Sequence, residues 1–435
     1  MDLPSKHVMY LSKRIGARGA ESDGESAAAS YVVRQFEKFD VDVDVEPFLS
    51  CKSDVSAIII LYILAILAYF AFRLSSALSL LIAVLVFFLF QMETYSWAVI
   101  SKLLHQSSAS NVLGTVRPKK SVEQIVVLVA NYDSAKRSPL AKPRLARAYR
   151  FLYIFSFFSI IMIVVLAIVG QGATLLKVSR NTTLLIWECA APFPALLVVM
   201  SALMIWGEAR GLYTAGANDN ASGVGVLLSV IAAIADNPLE NTTVIGAATA
   251  RGFAGGRGMV ALLKKRKRTL KDALIVNLDH IGRGETRVIT REGVMFGFRG
   301  SRKLTRLAMK VIARSKSLEI GKGKCRVKKS DAMVANARGY NAITIGGATK
   351  GSYEGWRDSD DVFEAIQRGS LDTAVRFVHL LLEEIDGSAS RSRRAVPSRG
   401  HEYVDSDQEE EEPAVINLEE EKDESVVNNM DDEHS

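Results

Sequence analysis

Four stretches of this chain lack the apolar–polar alternation of a water-facing helix. Val55–Phe72 and Phe151–Gly170 carry no charge, Leu74–Met92 follows the single Arg73, and Leu184–Trp206 holds only Glu188. Each reaches the roughly 17–25 apolar residues that a helix needs to cross a bilayer. Soluble helices of that length show a polar stripe, and these do not. The pattern predicts two transmembrane hairpins, 55–92 and 151–206. A hairpin leaves and re-enters on one side, so 1–50, 93–150 and 207–386 should share a compartment and build one discontinuous domain.

Those remaining segments alternate in type. Helical periodicity runs through Glu25–Lys38, Val224–Ile234, Met259–Lys267, Arg302–Arg314 and Ser370–Ile385. Short β-rich runs occupy Val41–Val45, Ile125–Ala130, Thr243–Ala248, Leu274–Leu278 and Ala342–Ile345. IVVLVA and ALIVNL are apolar on both faces, as in a strand covered by helices above and below. The expected fold is α/β: a mixed, mostly parallel central sheet with helices on both faces, interrupted by the two hairpins.

Charge adds an orientation. Lys136, Arg137, Lys142, Arg144, Arg147 and Arg150 crowd the approach to the third span, whereas the outer turns offer Arg73, Lys177 and Arg180. The positive-inside rule then places the folded part and both termini in the cytoplasm of a multi-pass membrane protein. The first residues have no apolar core of a cleavable signal peptide. Three dispersed cysteines fit a reducing compartment and suggest no disulfide framework or zinc motif. From 387 the composition turns basic and Ser-rich. His401–Ser435 then holds 15 acidic residues against one Lys, a net of −14. The whole chain is +6, so residues 1–400 carry +6 − (−14) = +20. The tail lacks an apolar face and is expected to be disordered, a solubiliser or a cover for a basic surface. The basic runs Lys264–Arg268 and Lys322–Lys329 lack interleaved aromatics. They read as solvated faces near anionic lipid, and no nucleic-acid partner is expected.

Four polar clusters end strands or open helices: ANYDSAK, GANDNASGVGVLL, ATARGFAGGRG and NLDHIGRG. Ligand sites of α/β sheets gather at such strand ends. The order and spacing of these segments resemble the di-zinc aminopeptidase family (peptidase family 28). IGARGAESDGESAAASYVVRQFEKFDVDVDVEPF is similar to that family's opening helix and first strand. The resemblance implies metal ligands at the positions of Asn131, Asn218, Arg251, Asp279 and Arg357, the last in WRDSDDVFEAI. It implies a general base at Ala250. Neither hairpin belongs to the family's basic pattern.

Of the five ligand positions only Asp279 holds a good zinc ligand. An Asn amide is a poor one and Arg is a fixed cation. Ala250 cannot accept a proton. Asp133 and Asp219 would act as supporting hydrogen-bond acceptors. His280 adjoins Asp279 on a strand and should point to the opposite face. The expectation is therefore a membrane-bound pseudo-peptidase with no metal and no catalytic residue, a scaffold or a binding module for a peptide or protein partner. The alternative is an active membrane zinc aminopeptidase with a rearranged site. Spans almost without polar residues disfavour a transporter. If guanidinium groups replaced the metals, Arg251 or Arg357 would stand within ion-pair reach of Asp279, with Asp133 or Asp219 as further acceptors.

Overall fold

The computed structural model describes residues 3–137, 143–294, 297–326, 328–349, 352–353 and 356–394. The basic and acidic tail beyond 394 lies outside them.

Strands β1 (Asp42–Ser50), β2 (Ser107–Val116), β3 (Gln124–Asn131), β4 (Thr242–Thr249), β5 (Leu274–Leu278), β6 (Arg287–Glu292), β7 (Phe298–Arg299), β8 (Gly321–Cys325) and β9 (Asn341–Gly346) form one sheet. Its order is β1-β2-β4-β3-β5-β9-β6-β7, with β8 on β6. The four central strands, β4-β3-β5-β9, run parallel. β1 and β2 add an antiparallel flank on one side and β6 on the other. The expected mixed sheet with a parallel centre is present. A second, two-stranded sheet pairs β10 (Ala348–Thr349) with β11 (Ser352–Tyr353).

Helices cover both faces because side chains alternate across each strand. Val126, Leu128 and Ala130 of β3 pack in one layer with α2 (Asp23–Lys38), α8 (Ser222–Asp236), α10 (Arg302–Arg314) and α12 (Arg368–Arg394), and with α1 (Leu3–Met9). Val127 and Val129 face the other layer, with α9 (Arg257–Lys265) and α11 (Asp331–Asn336). Ser22 opens α2 as an N-cap, its hydroxyl accepting from Glu25 N, and the Glu25 carboxylate reaches back to Glu21 N at 2.9 Å. This exchange satisfies donors that a helix start leaves unpaired.

The remaining helices form a separate apolar cluster: α3 (Val55–Ala71), α4 (Ser76–Thr94), α5 (Pro143–Leu175), α6 (Arg180–Cys189) and α7 (Pro192–Arg210). Leu67, Phe70, Leu81, Phe88, Phe155, Ile168 and Val199 point outward from them, an apolar exterior that water does not favour. Among the described residues, four helical stretches are long and apolar enough to cross a membrane: Ser76–Thr94, Arg150–Leu175, Arg180–Arg210 and Ala217–Asp236. The last contains α8 and is 89% buried inside the α/β core, so packing rather than lipid explains it. α3 is apolar too but has 17 residues, the short end of the spanning range. The stretch expected as one span from Leu184 breaks at Ala190–Ala191. α7 then starts at Pro192, where proline's fixed φ and missing N–H suit a first helical position.

Candidate metal and ligand site

The carboxyl ends of the central parallel strands meet the turn that leads into α8. Asn131 ends β3. Asp279 follows β5, its N–H held by Ile345 O of β9 at 3.0 Å. Asp219 comes from a tight turn, Ala217–Ala221, whose entry needs Gly216 at φ 59°. A Cβ there would meet the Ser134 Cβ at 2.7 Å and the Arg18 guanidinium at 2.8 Å. Arg18 is itself fully buried and donates to the carbonyls of Leu11, Tyr132, Ala215 and Gly216, which clamps this turn to the start of the chain.

Asp219, Asp279 and His280 are brought together, all buried. His280 Nδ1 lies 2.7 Å from Asp279 Oδ1 and its Nε2 lies 3.1 Å from Asp219 Oδ1. The Tyr353 ring stacks on the imidazole at 4.3 Å. This corrects the expectation for His280. β5 ends at Leu278, and His280 takes φ 54°, so strand alternation no longer governs it and its ring turns back toward Asp279.

The positive charge beside the two acids is also not the one expected. Lys328 Nζ stands 3.0 Å from Asp279 and 3.4 Å from Asp219 Oδ1, with its side chain 11% exposed. The run Lys322–Lys329, read from sequence as a solvated face, therefore delivers its penultimate lysine to the centre. Arg251 points elsewhere. Its φ of 56° swings the side chain away from the strand ends, to Glu25 Oε1 at 2.9 Å and Ser107 Oγ at 3.1 Å. Arg357 lies against the Phe253 and Trp356 rings, at 5.9 and 5.6 Å, and forms no ion pair with Asp279. The guanidinium replacement expected from sequence is thus overturned, and an ammonium stands in that place.

The Asn positions are structural in this geometry. Asn131 donates to Asp133 Oδ1 at 3.0 Å and accepts from Asn220 Nδ2 at 3.1 Å. The Asn218 side-chain oxygen accepts from Gly282 N at 2.8 Å, so the neighbouring Asp219, not Asn218, faces the centre. Asp133 accepts from Gly252 N and Phe253 N, and so holds the turn after β4. Ala250 is buried, its N–H donating to Asn111 Oδ1. Sequence reading missed Lys328, Asn220 and Asp361. Asn220 joins the ends of β3 and β5, and Asp361 accepts from the N–H groups of Asn218 and Asp219. The only signal for Asn220 and Asp361 was their place inside GANDNASG and WRDSDD.

The electrostatics follow from burial and pairing. Burial raises the Asp219 and Asp279 carboxyls, but the Lys328 ammonium and the His280 imidazole outweigh it and hold both below the usual range. Burial lowers His280, and Asp219 outweighs it, leaving the imidazole raised. In two nearby acids burial outweighs those cations. Burial pushes Asp331 up to about 7 against a hydrogen bond from Thr249, and Asp361 up to about 6.

A family model, Peptidase family M28, matches residues 199–382. Over those residues the α/β domain resembles peptidase family M28. A comparison with curated protein sequences finds no match. Among solved structures, a glutaminyl cyclase of Bacteroides thetaiotaomicron is similar with TM-score 0.54 and 11% identity, over 88% of this chain and 97% of that one. A leucine aminopeptidase precursor from the same organism gives 0.52 and 12%, over 88% and 96%. A zinc aminopeptidase from Bacillus subtilis gives 0.51 and 13%, over 88% and 94%. At these identities the likeness establishes the fold alone.

The α/β domain offers Asp219, Asp279 and His280 as possible metal ligands, with donor atoms within 4.8 Å of one another. Two carboxylates and an imidazole suit one zinc-like ion. The surroundings do not fit a pair of ions. Both ring nitrogens of His280 already face the carboxylates, Lys328 occupies the side where a second cation would balance them, and Asn131 turns its amide to Asp133 and Asn220.

Proposed function

We propose that this chain is a membrane-bound M28 protein whose domain works by binding, as a scaffold or a recognition module for a peptide or another protein, and not by hydrolysis. One observation carries the reading: the Lys328 ammonium lies against Asp279 and Asp219, in the place where a metal would hold them. M28 chemistry needs a cation that polarises a carbonyl and acidifies water. A lysine held by two buried carboxylates supplies the charge and neither of those functions.

A second reading has specific support. Asp219, Asp279 and His280 form a usable donor set, and Asp331 lines the adjoining cavity with its carboxyl near 7, a suitable value for a general base. The family match and the zinc aminopeptidase fold favour zinc for such a donor set. An active zinc aminopeptidase of this kind would need Lys328 to leave the carboxylates.

The two readings part in one experiment on the purified full chain: elemental analysis after zinc loading and removal of excess metal, beside aminopeptidase and glutaminyl cyclase assays. The binding reading expects no retained zinc and no turnover. Stoichiometric zinc that Asp279→Ala removes, together with aminopeptidase activity, would establish the second.

A further inference from the structure

Beside the Asp219–Asp279–His280 cluster lies a cavity of about 120 Å³ whose walls come from both halves of the molecule. The polar wall holds Asp279, Lys328, Lys329, Asp54 and Arg357. The apolar wall includes Val55 and Ile58 in the first turn of α3, and Met204 of α7. Thr94 and Tyr153, from α4 and α5, also line it. Met204 lies six residues before the end of α7 at Arg210, about 9 Å along a helix at 1.5 Å per residue. If these helices span a bilayer, the cavity sits at the depth of its headgroups.

The groups along the polar wall are unequally paired. Lys328 is shared by Asp279 and Asp219, and Lys329 is matched by Asp54 at 3.1 Å. Arg357 lies against two aromatic rings and acts on Asp54, which Lys329 already holds, and its Nε is buried without a hydrogen bond. Its guanidinium therefore keeps a donor to spare beside a space whose other side is apolar. Arginine forks suit the oxygens of a phosphate. The ammonium of a peptide N-terminus would be repelled there.

We propose that this cavity binds an anionic phospholipid of the bilayer, with its phosphate on Arg357 and the start of its acyl region against Val55, Ile58 and Met204. The inference goes beyond the binding role proposed above and holds whether or not the domain hydrolyses peptides. It rests on the reading of α3–α7 as membrane-embedded.

The test uses the full chain in nanodiscs of phosphatidylcholine, with and without a minor fraction of phosphatidylglycerol, read by native mass spectrometry and by thermal unfolding. The wild type should retain phosphatidylglycerol and melt higher in its presence. Arg357→Gln should bind it about tenfold more weakly, the scale of one charge-assisted hydrogen bond, and melt unchanged in phosphatidylcholine alone. Should Arg357→Gln fail to fold, Val55→Trp, which fills the apolar end, should lose the lipid equally. Equal retention by wild type and both variants overturns the proposal. So does the same stabilisation by inorganic phosphate or glycerol 3-phosphate, which would make the ligand a free anion. A peptide retained in place of lipid overturns it as well. Release of the chain from membranes by alkaline carbonate would remove its basis in the membrane reading and leave the domain's own function untouched.

Discussion

Arg251, His280 and Arg357 all have left-handed backbones, with φ of 56°, 54° and 53°. Non-glycine residues adopt that region rarely, and clusters of such residues mark functional frames. These three conformations decide which sequence expectations survived. GANDNASG and NLDHIG correctly marked the segments that converge, because glycines, small residues and strand-end polar groups are local signals. The direction of His280 and Arg251 was not legible, since alternation describes a strand and both residues stand just past one. Lys328 was invisible for a different reason: it reaches the centre from a loop after β8, and a run of lysines reads as solvent-facing unless the tertiary fold buries one of them.

The buried acids away from that cluster give a pH dependence. Burial, with Asp133 nearby, pushes Glu25 up to about 7 despite Arg251, and burial pushes Glu292 up to about 7 despite Ser330. The ordinary value for both is 4.5, so the folded state binds their protons more tightly than the unfolded chain does. Their contribution is complete below about 4.5 and is lost as pH rises through about 7. Melting temperature should therefore rise as pH falls from 7.5 toward 5. Glu292→Gln should flatten that rise, and an unchanged slope in the variant would show that Glu292 does not titrate in this window.

At the scale of elements, a buried pair helps to fasten the apolar helices to the α/β domain. Arg257 at the start of α9 reaches Glu93 at the end of α4 at 3.2 Å, and Ser101 donates to the same carboxylate through N–H and hydroxyl. Arg257 also donates to Ser96 O. Removing one partner of a buried, hydrogen-bonded pair costs about 3–5 kcal/mol, because the other charge is left without compensation. Arg257→Ala should lose about that much stability and should raise amide exchange at the end of α4 before it does so in β3 or β5. Uniform protection in the variant would mean that this pair does not fasten the two units. Periodicity revealed the helices themselves, with α10 and β5 at the residues expected. β2, β6, β7 and β8 were not anticipated. Ser107–Val116 is broken by Ser, Asn and Gly, and β8 is a short run of Gly and Lys that pairs only with β6.

For the whole molecule, if the apolar helices span a bilayer as proposed, their unequal lengths set a preference among membranes. α3 has 17 residues, about 25 Å at 1.5 Å per residue, against a hydrocarbon core of about 30 Å. α4 has 19, and the apolar part of α5, Arg150–Leu175, has 26. A long helix answers thickness by tilting, whereas a short one can only thin the bilayer around it or draw its flanking charges inward. The flanks of α3 are poorly placed to yield. Asp54 is fixed to Lys329 on one side, and Arg73 lies over the Trp187 ring at 5.1 Å on the other. The protein should therefore be most stable in thin bilayers. Its melting temperature after reconstitution should fall as phosphatidylcholine acyl chains lengthen from fourteen to twenty carbons, and a flat profile would show that α3 does not bear the mismatch. In a cell whose membranes differ in thickness, those seventeen residues would act as a sorting device, holding the chain in thinner compartments and disfavouring its transfer to sterol-thickened ones.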